Sequence, residues 1–142
     1  MKYLFSIILI SILSGTNLVA QNPLGLWRTV DDKTGQAKSI IELYEYQGEI
    51  HGKITQLILK PQDSKCDKCS GDKKNQPLAG MTILWGLKAK DAKWGDGDIL
   101  DPESGKEYNC TIWFENNKNT ELKVRGYHWS GIYRTQTWYR LK

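Results

Sequence analysis

Ser39-Ile40-Ile41-Glu42-Leu43-Tyr44-Glu45-Tyr46 alternates apolar and polar residues from Ile41 onward, the period-two pattern of a strand with one face buried. Gln47-Gly48 then turns the chain into a second run, Glu49-Ile50-His51-Gly52-Lys53-Ile54-Thr55-Gln56-Leu57-Ile58-Leu59. Two extended runs joined by two such residues read as a β-hairpin. The same pattern continues on both sides. Residues 26–30 form a strand that ends in the turn-rich Asp31-Asp32-Lys33-Thr34-Gly35; residues 81–88 read as another, with helix as the alternative there, and residues 94–100 as a glycine-broken strand. Asp101-Pro102-Glu103-Ser104-Gly105 is turn chemistry, with proline early and glycine late. Beyond it Tyr108, Cys110, Ile112 and Phe114 alternate with Asn109, Thr111 and Trp113, and residues 120–125 and 132–141 complete a count of eight strands. No helical period of useful length interrupts them. Antiparallel neighbours joined in sequence predict an all-β fold, an eight-stranded antiparallel up-and-down barrel without free edges.

The 142 residues suffice for one domain. With 39% hydrophobic and 25% charged residues the chain is neither a disordered tail nor a multispan membrane protein. A net charge of +4, evenly spread, gives no footprint for nucleic acid. The first twenty residues stand apart. Met1-Lys2-Tyr3 carries one positive charge, Leu4 to Leu13 is almost wholly apolar, and small residues follow. This is the pattern of a secretory signal peptide. The expected cut follows Ala20, leaving residues 21–142 as the barrel domain. The apolar run is shorter than the roughly 20 residues of a membrane span, and no cysteine near the cut offers a lipid anchor. The expected location is periplasmic or extracellular, where cysteines meet an oxidising environment.

Gly52, Gly86, Gly97 and Gly126 interrupt strand patterns, where glycine commonly marks a bulge or a barrel corner. Cys66-Asp67-Lys68-Cys69 lies in the long loop 60–77. It reads first as a small disulfide pinning that loop, with half a zinc site or a redox pair as alternatives. Cys110 falls on the apolar face of its strand and reads as a buried thiol, a bridge to the loop being the alternative. No metal site is expected: Asp96-Gly97-Asp98 lacks the ligand spacing of a calcium loop and reads as turn chemistry. With only His51 and His128, and no nucleophile elbow, phosphate loop or HExxH, the residues lean away from catalysis without deciding it, and no cofactor is expected.

Four groups of residues together carry a resemblance. They are Gly25-Leu26-Trp27-Arg28-Thr29-Val30-Asp31-Asp32, then Gly48-Glu49-Ile50-His51-Gly52-Lys53-Ile54, then Cys66-x-x-Cys69 with Pro77-Leu78-Ala79-Gly80-Met81-Thr82-Ile83-Leu84-Trp85-Gly86-Leu87-Lys88. The fourth runs from Trp94 through Gly97-Asp98-Ile99-Leu100-Asp101-Pro102 to Tyr108-Asn109-Cys110, Val124-Arg125-Gly126-Tyr127 and Arg134-Thr135-Gln136-Thr137-Trp138. In this order they resemble the bacterial DUF2147 family, a domain of unknown function placed among the calycins, the lipocalin-like barrels. The resemblance implies an exported lipocalin-like barrel and supplies no ligand or activity. It also implies a Gly-x-Trp on the first strand and a cation on the last, closing one barrel end. Trp27 fits the first part, with Arg140 or Arg134 as the cation.

The remaining chemistry concentrates near the C-terminus. Ile132, Arg134, Gln136, Trp138 and Arg140 share one face of the last strand, and Arg125 and Tyr127 precede it. Arg125, Tyr127, Arg134, Gln136 and Trp138 are therefore the candidate ligand-binding residues. If the Arg134 face points inward, it predicts an anionic or polar ligand, because buried charge needs a partner. The alternative is an internal salt-bridge and cation–π network in a filled core, serving a structural or interaction role. An enzyme built on the arginine and aromatic cluster is a third reading. The expected partner is a small molecule or a cell-envelope protein.

Overall fold

The hairpin at residues 39–59 forms as its pattern requires. Strands β2 (Ala37–Tyr46) and β3 (Glu49–Leu57) pair antiparallel. Gln47 and Gly48 turn between them at φ 51° and 77°, the left-handed backbone of a tight hairpin turn. The computed structural model describes residues 21–142, so the predicted signal segment 1–20 lies outside the described residues. The other strands are β1 (Gly25–Val30), β4 (Thr82–Lys90), β5 (Lys93–Asp101), β6 (Lys106–Phe114), β7 (Glu121–Tyr127) and β8 (Tyr133–Arg140). Each pairs antiparallel with its neighbours in sequence, and β8 returns to β1, so the eight-stranded sheet closes on itself.

Inward-facing residues of successive strands fill the lower part of the barrel. Ile41, Leu43, Leu84, Leu87, Ile112 and Leu122 are all buried there. The closed end is finished by aromatic rings. Trp27 lies 6.0 Å from Phe114, and Phe114 lies 6.0 Å edge-on to Trp94. Over this plug the Arg140 guanidinium sits 4.3 Å from the Trp27 ring centre. Its three nitrogens donate to the carbonyls of Asn119 (2.8 Å), Leu24 (2.9 Å) and Asn22 (2.6 Å), which ties the end of β8 to the residues before β1. Trp27 Nε1 donates to Pro23 O at 2.8 Å. Gly25 leaves the room for this arrangement, since a Cβ there would stand 3.3 Å from Arg140 Nη1.

Three of the four glycines expected at corners mark irregularities. The β3–β4 register shifts on both sides of Gly52, and Gly86 takes φ 72° inside β4. At Gly97 the β5–β6 register shifts, and a Cβ would lie 2.5 Å from the Trp85 carbonyl. The Asp96-Gly97-Asp98 stretch is thus a bulge. Among the described residues no group of three His, Cys, Asp or Glu is placed to share a metal ion. Gly126 differs: its register is regular toward both β6 and β8. A Cβ there would stand 3.3 Å from the Tyr108 Cβ, so the glycine admits a ring rather than a bend.

Cys66 and Cys69 are disulfide-bonded, and Cys110 is a free, buried thiol on β6. Burial, with a smaller contribution from Asp98, pushes the Cys110 pKa up to about 12.

Two outcomes follow from this packing. Arg140→Met removes the cation over Trp27 together with three carbonyl contacts, and should destabilise the barrel by about 2–3 kcal/mol, read as a Tm lower by roughly 10 °C. Arg140→Lys should recover little of it, because an ammonium cannot serve three diverging carbonyls; full recovery would show that charge alone matters. Cys110 should not react with a thiol reagent in the native state and should give one thiol per chain in guanidinium. Because folding raises its pKa, its contribution is intact below the unfolded thiol value of roughly 8.5. It is lost as pH rises toward about 12, while the unfolded chain releases the proton. Cys110→Ala should flatten that alkaline fall in a denaturation series.

Candidate functional site

The end of the barrel opposite the Trp27 plug is not filled. A cavity of about 270 Å³ runs inward from this end, and every strand contributes to its wall. Its inner part is apolar, built from Ile41, Ile54, Ile83, Ile99, Val124 and the indole of Trp138. Trp138 is buried and forms the inner limit, whereas Ile132, at 72% exposure, stands at the mouth. The volume suits a small guest. Apolar walls with a few placed polar groups are the usual composition of a ligand site.

Several polar groups of the wall are engaged with one another. Thr29 Oγ1 and Ser39 Oγ, both buried, lie 2.7 Å apart and share a hydrogen bond. Trp138 Nε1 donates to Gln136 Oε1 at 3.2 Å. Two cations stand at the mouth. Arg134 Nε donates to Asp32 Oδ2 at 2.7 Å, and its Nη2 pairs with the same oxygen. That hydrogen bond holds the Arg134 pKa above its ordinary value. Lys38 Nζ meets Glu103 at 2.8 Å. These pairs lace β8 to the β1–β2 turn and β2 to the β5–β6 turn. The β1–β2 turn is itself ordered by Asp31, whose Oδ1 accepts from the Thr34 and Lys33 amides at 2.9 and 3.0 Å. Those donors, Thr34 first, hold the Asp31 pKa below the usual carboxylate range.

The long β3–β4 connection packs on the same end. Buried Cys66, Cys69, Leu78 and Met81 join it to the core. Cys66 Sγ lies 3.7 Å from the Pro102 carbonyl oxygen. The backbone at Lys68 is so close to the β5–β6 turn that a Cβ at Gly105 would run into the Lys68 carbonyl.

The five candidate binding residues divide between two faces. Arg134, Gln136 and Trp138 line the cavity. Arg125 and Tyr127 do not: strand alternation turns Leu122 and Val124 inward and sends Arg125 and Tyr127 to the outer wall. There Arg125 Nε donates to Thr135 Oγ1 at 2.6 Å, and its guanidinium lies 4.9 Å from the Trp113 ring centre and 4.3 Å from that of Tyr133. Lys38, Ser39 and Thr29, absent from the candidate set, do reach the cavity. The sign was present in the hairpin pattern, since Ser39 falls in phase with Ile41 on the buried face. His128 Nδ1 lies 2.7 Å from Ser130 Oγ on an exposed turn. The histidine contact to a carboxylate among the described residues is that of His51 with Glu49, at 3.9 Å.

Among the described residues no helix is long and apolar enough to cross a membrane. No curated protein gives a significant match. A solved structure, protein HP1028 from Helicobacter pylori, described as belonging to the lipocalin family, superposes with TM-score 0.72 at 18% identity. The match covers 85% of this chain and 84% of that one, and at this identity it speaks for the fold. A family profile described as "Uncharacterized protein conserved in bacteria (DUF2147)" matches residues 25–140. The chain therefore belongs to the bacterial DUF2147 family and carries it on a lipocalin-like barrel.

Proposed function

We propose that this protein is an exported, non-enzymatic barrel that holds a small, largely apolar molecule in the cavity below Arg134 and Lys38. The observation that carries the reading is the contrast between the two ends. One is sealed by Trp27, Phe114 and Arg140, while the other opens on an apolar cavity of about 270 Å³. Removing apolar surface from water drives such binding at about 25 cal/mol per Å². The lipocalin-like fold of the Helicobacter pylori neighbour is in keeping with it. Export is supported by the charged, apolar and small-residue order of residues 1–20 and by the Cys66–Cys69 disulfide, a bond favoured in oxidising compartments.

A second reading, docking of a cell-envelope partner at the rim, is favoured by Trp129, which is 91% exposed, with Ile132 and Tyr133 beside it.

The cavity reading is tested by displacement of an environment-sensitive apolar fluorophore. Val124→Phe, which fills the wall, should weaken fluorophore binding at least tenfold with circular dichroism unchanged. Unchanged affinity in Val124→Phe together with loss in Trp129→Ala would move binding to the rim and overturn it. For export, the chain isolated from the periplasmic or culture fraction of its host should begin at Gln21. A full-length chain confined to the cytoplasm would refute that part.

A further inference from the structure

The geometry points to an uncharged ligand: an apolar molecule carrying one hydrogen-bond-accepting oxygen, received by the side-chain amide of Gln136. This rests on the cavity reading above and names the ligand class for it.

Both cations at the mouth are already neutralised, Arg134 by Asp32 and Lys38 by Glu103. Asp101, which also lines the cavity, accepts from the Glu103 amide at 3.0 Å and the Ser104 hydroxyl at 2.8 Å. The two cations are thus outnumbered by three carboxylates, and among the described residues no ionised group of the wall is left without a partner of its own. A ligand carboxylate or phosphate would have to displace Asp32 or Glu103, leaving a carboxylate unpaired beside its own charge. A ligand ammonium would have to share Asp101 with the Glu103 amide and the Ser104 hydroxyl, and would meet the repulsion of the Arg134 cation whose charge Asp101 already feels. Either exchange gives up a contact the rim already makes and gains no net neutralisation in return. The arginine-bearing face of β8 does point inward, but its guanidinium is spent on holding a turn.

The hydrogen-bond inventory gives the polarity of the head group. The indole of Trp138 is a donor only, so it fixes the Gln136 side chain with Oε1 toward Nε1. The Nε2 group is left over, and among the described residues it has no hydrogen-bond partner. The hydroxyls of Thr29 and Ser39 satisfy each other, and Thr29 Oγ1 also approaches the Ser39 carbonyl at 3.4 Å. Gln136 Nε2 is therefore an uncommitted donor, and it belongs to the side chain that the Trp138 indole holds in place. Its complement is a ketone, ester, ether or alcohol oxygen on an aliphatic body.

The probes are 2-octanone, octanoate and n-octylammonium, equal in chain length and titrated at pH 7 against the bound fluorophore used above. The ketone should bind at least tenfold more tightly than either ion. Gln136→Leu should cost the ketone about tenfold. Because that variant also leaves the Trp138 indole without its acceptor, the wild-type protein supplies an independent reading. The carbonyl stretch of bound, isotopically labelled 2-octanone should fall below its position in alkane solvent. A carbonyl band at the alkane position overturns the inference. So does octanoate binding most tightly and losing that advantage in Arg134→Gln, or failure of all three probes while the fluorophore still binds. Failure of the fluorophore itself strikes the cavity reading instead.

Discussion

The barrel depends on its seam. Seven of the strand pairings join sequence neighbours through turns, but β1 and β8 meet across the whole length of the chain and share only two paired positions, Trp27 with Arg140 and Arg28 with Tyr139. Each of these pairs sets a guanidinium against an aromatic ring, the first inside the wall and the second outside it. Such contacts are worth about 0.5–2 kcal/mol apiece depending on desolvation. The carbonyls of Asn22, Leu24 and Asn119 complete the fan of Arg140 donors. Burial beneath the terminal segments lowers the Arg140 pKa from its ordinary value, a cost these carbonyls help to offset.

Sealing one end allows the other to stay open. Because the aromatic plug and the layer of leucines above it supply the core, the upper barrel can carry small or polar residues, Thr29, Ser39, Val124 and Gly126, facing an unfilled interior. The charges that the chain does place there lie at the rim, where water reaches them, and each serves a turn. Arg134 and Lys38 fasten the β1–β2 and β5–β6 connections, and the disulfide loop braces the latter through Gly105. The result is a mouth whose two cations are both paired.

Much of this was legible in the residues. The strand pattern predicts all eight elements to within a few positions, because each has one buried and one solvated face and so keeps a period of two. Differences fall at strand ends. Ile58 and Leu59 continue the apolar run of β3, yet they leave the ladder and donate to the Lys38 carbonyl instead. Gly126 looks like Gly97 in sequence, but one admits a ring and the other a bulge; the difference is set by Tyr108 and Trp85, which lie on neighbouring strands. The candidate binding residues show the same boundary. Alternation along β8 groups Arg134 with Gln136 and Trp138 correctly, whereas Arg125 and Tyr127 sit on another strand, whose phase puts them outside.

Fold class, strand order, family and the short-range chemistry of turns and of the Cys66-x-x-Cys69 loop could all be read along the chain, because they depend on residues near one another in it. Closure of the barrel settled the rest: which end is sealed, that a cavity exists, and that Arg134 and Lys38 are paired rather than free. Asp32 and Arg134 are separated by 102 positions, and no local pattern records such a meeting. Whether a charge is available to a ligand depends on its partner in space, and closing the sheet is what chooses that partner.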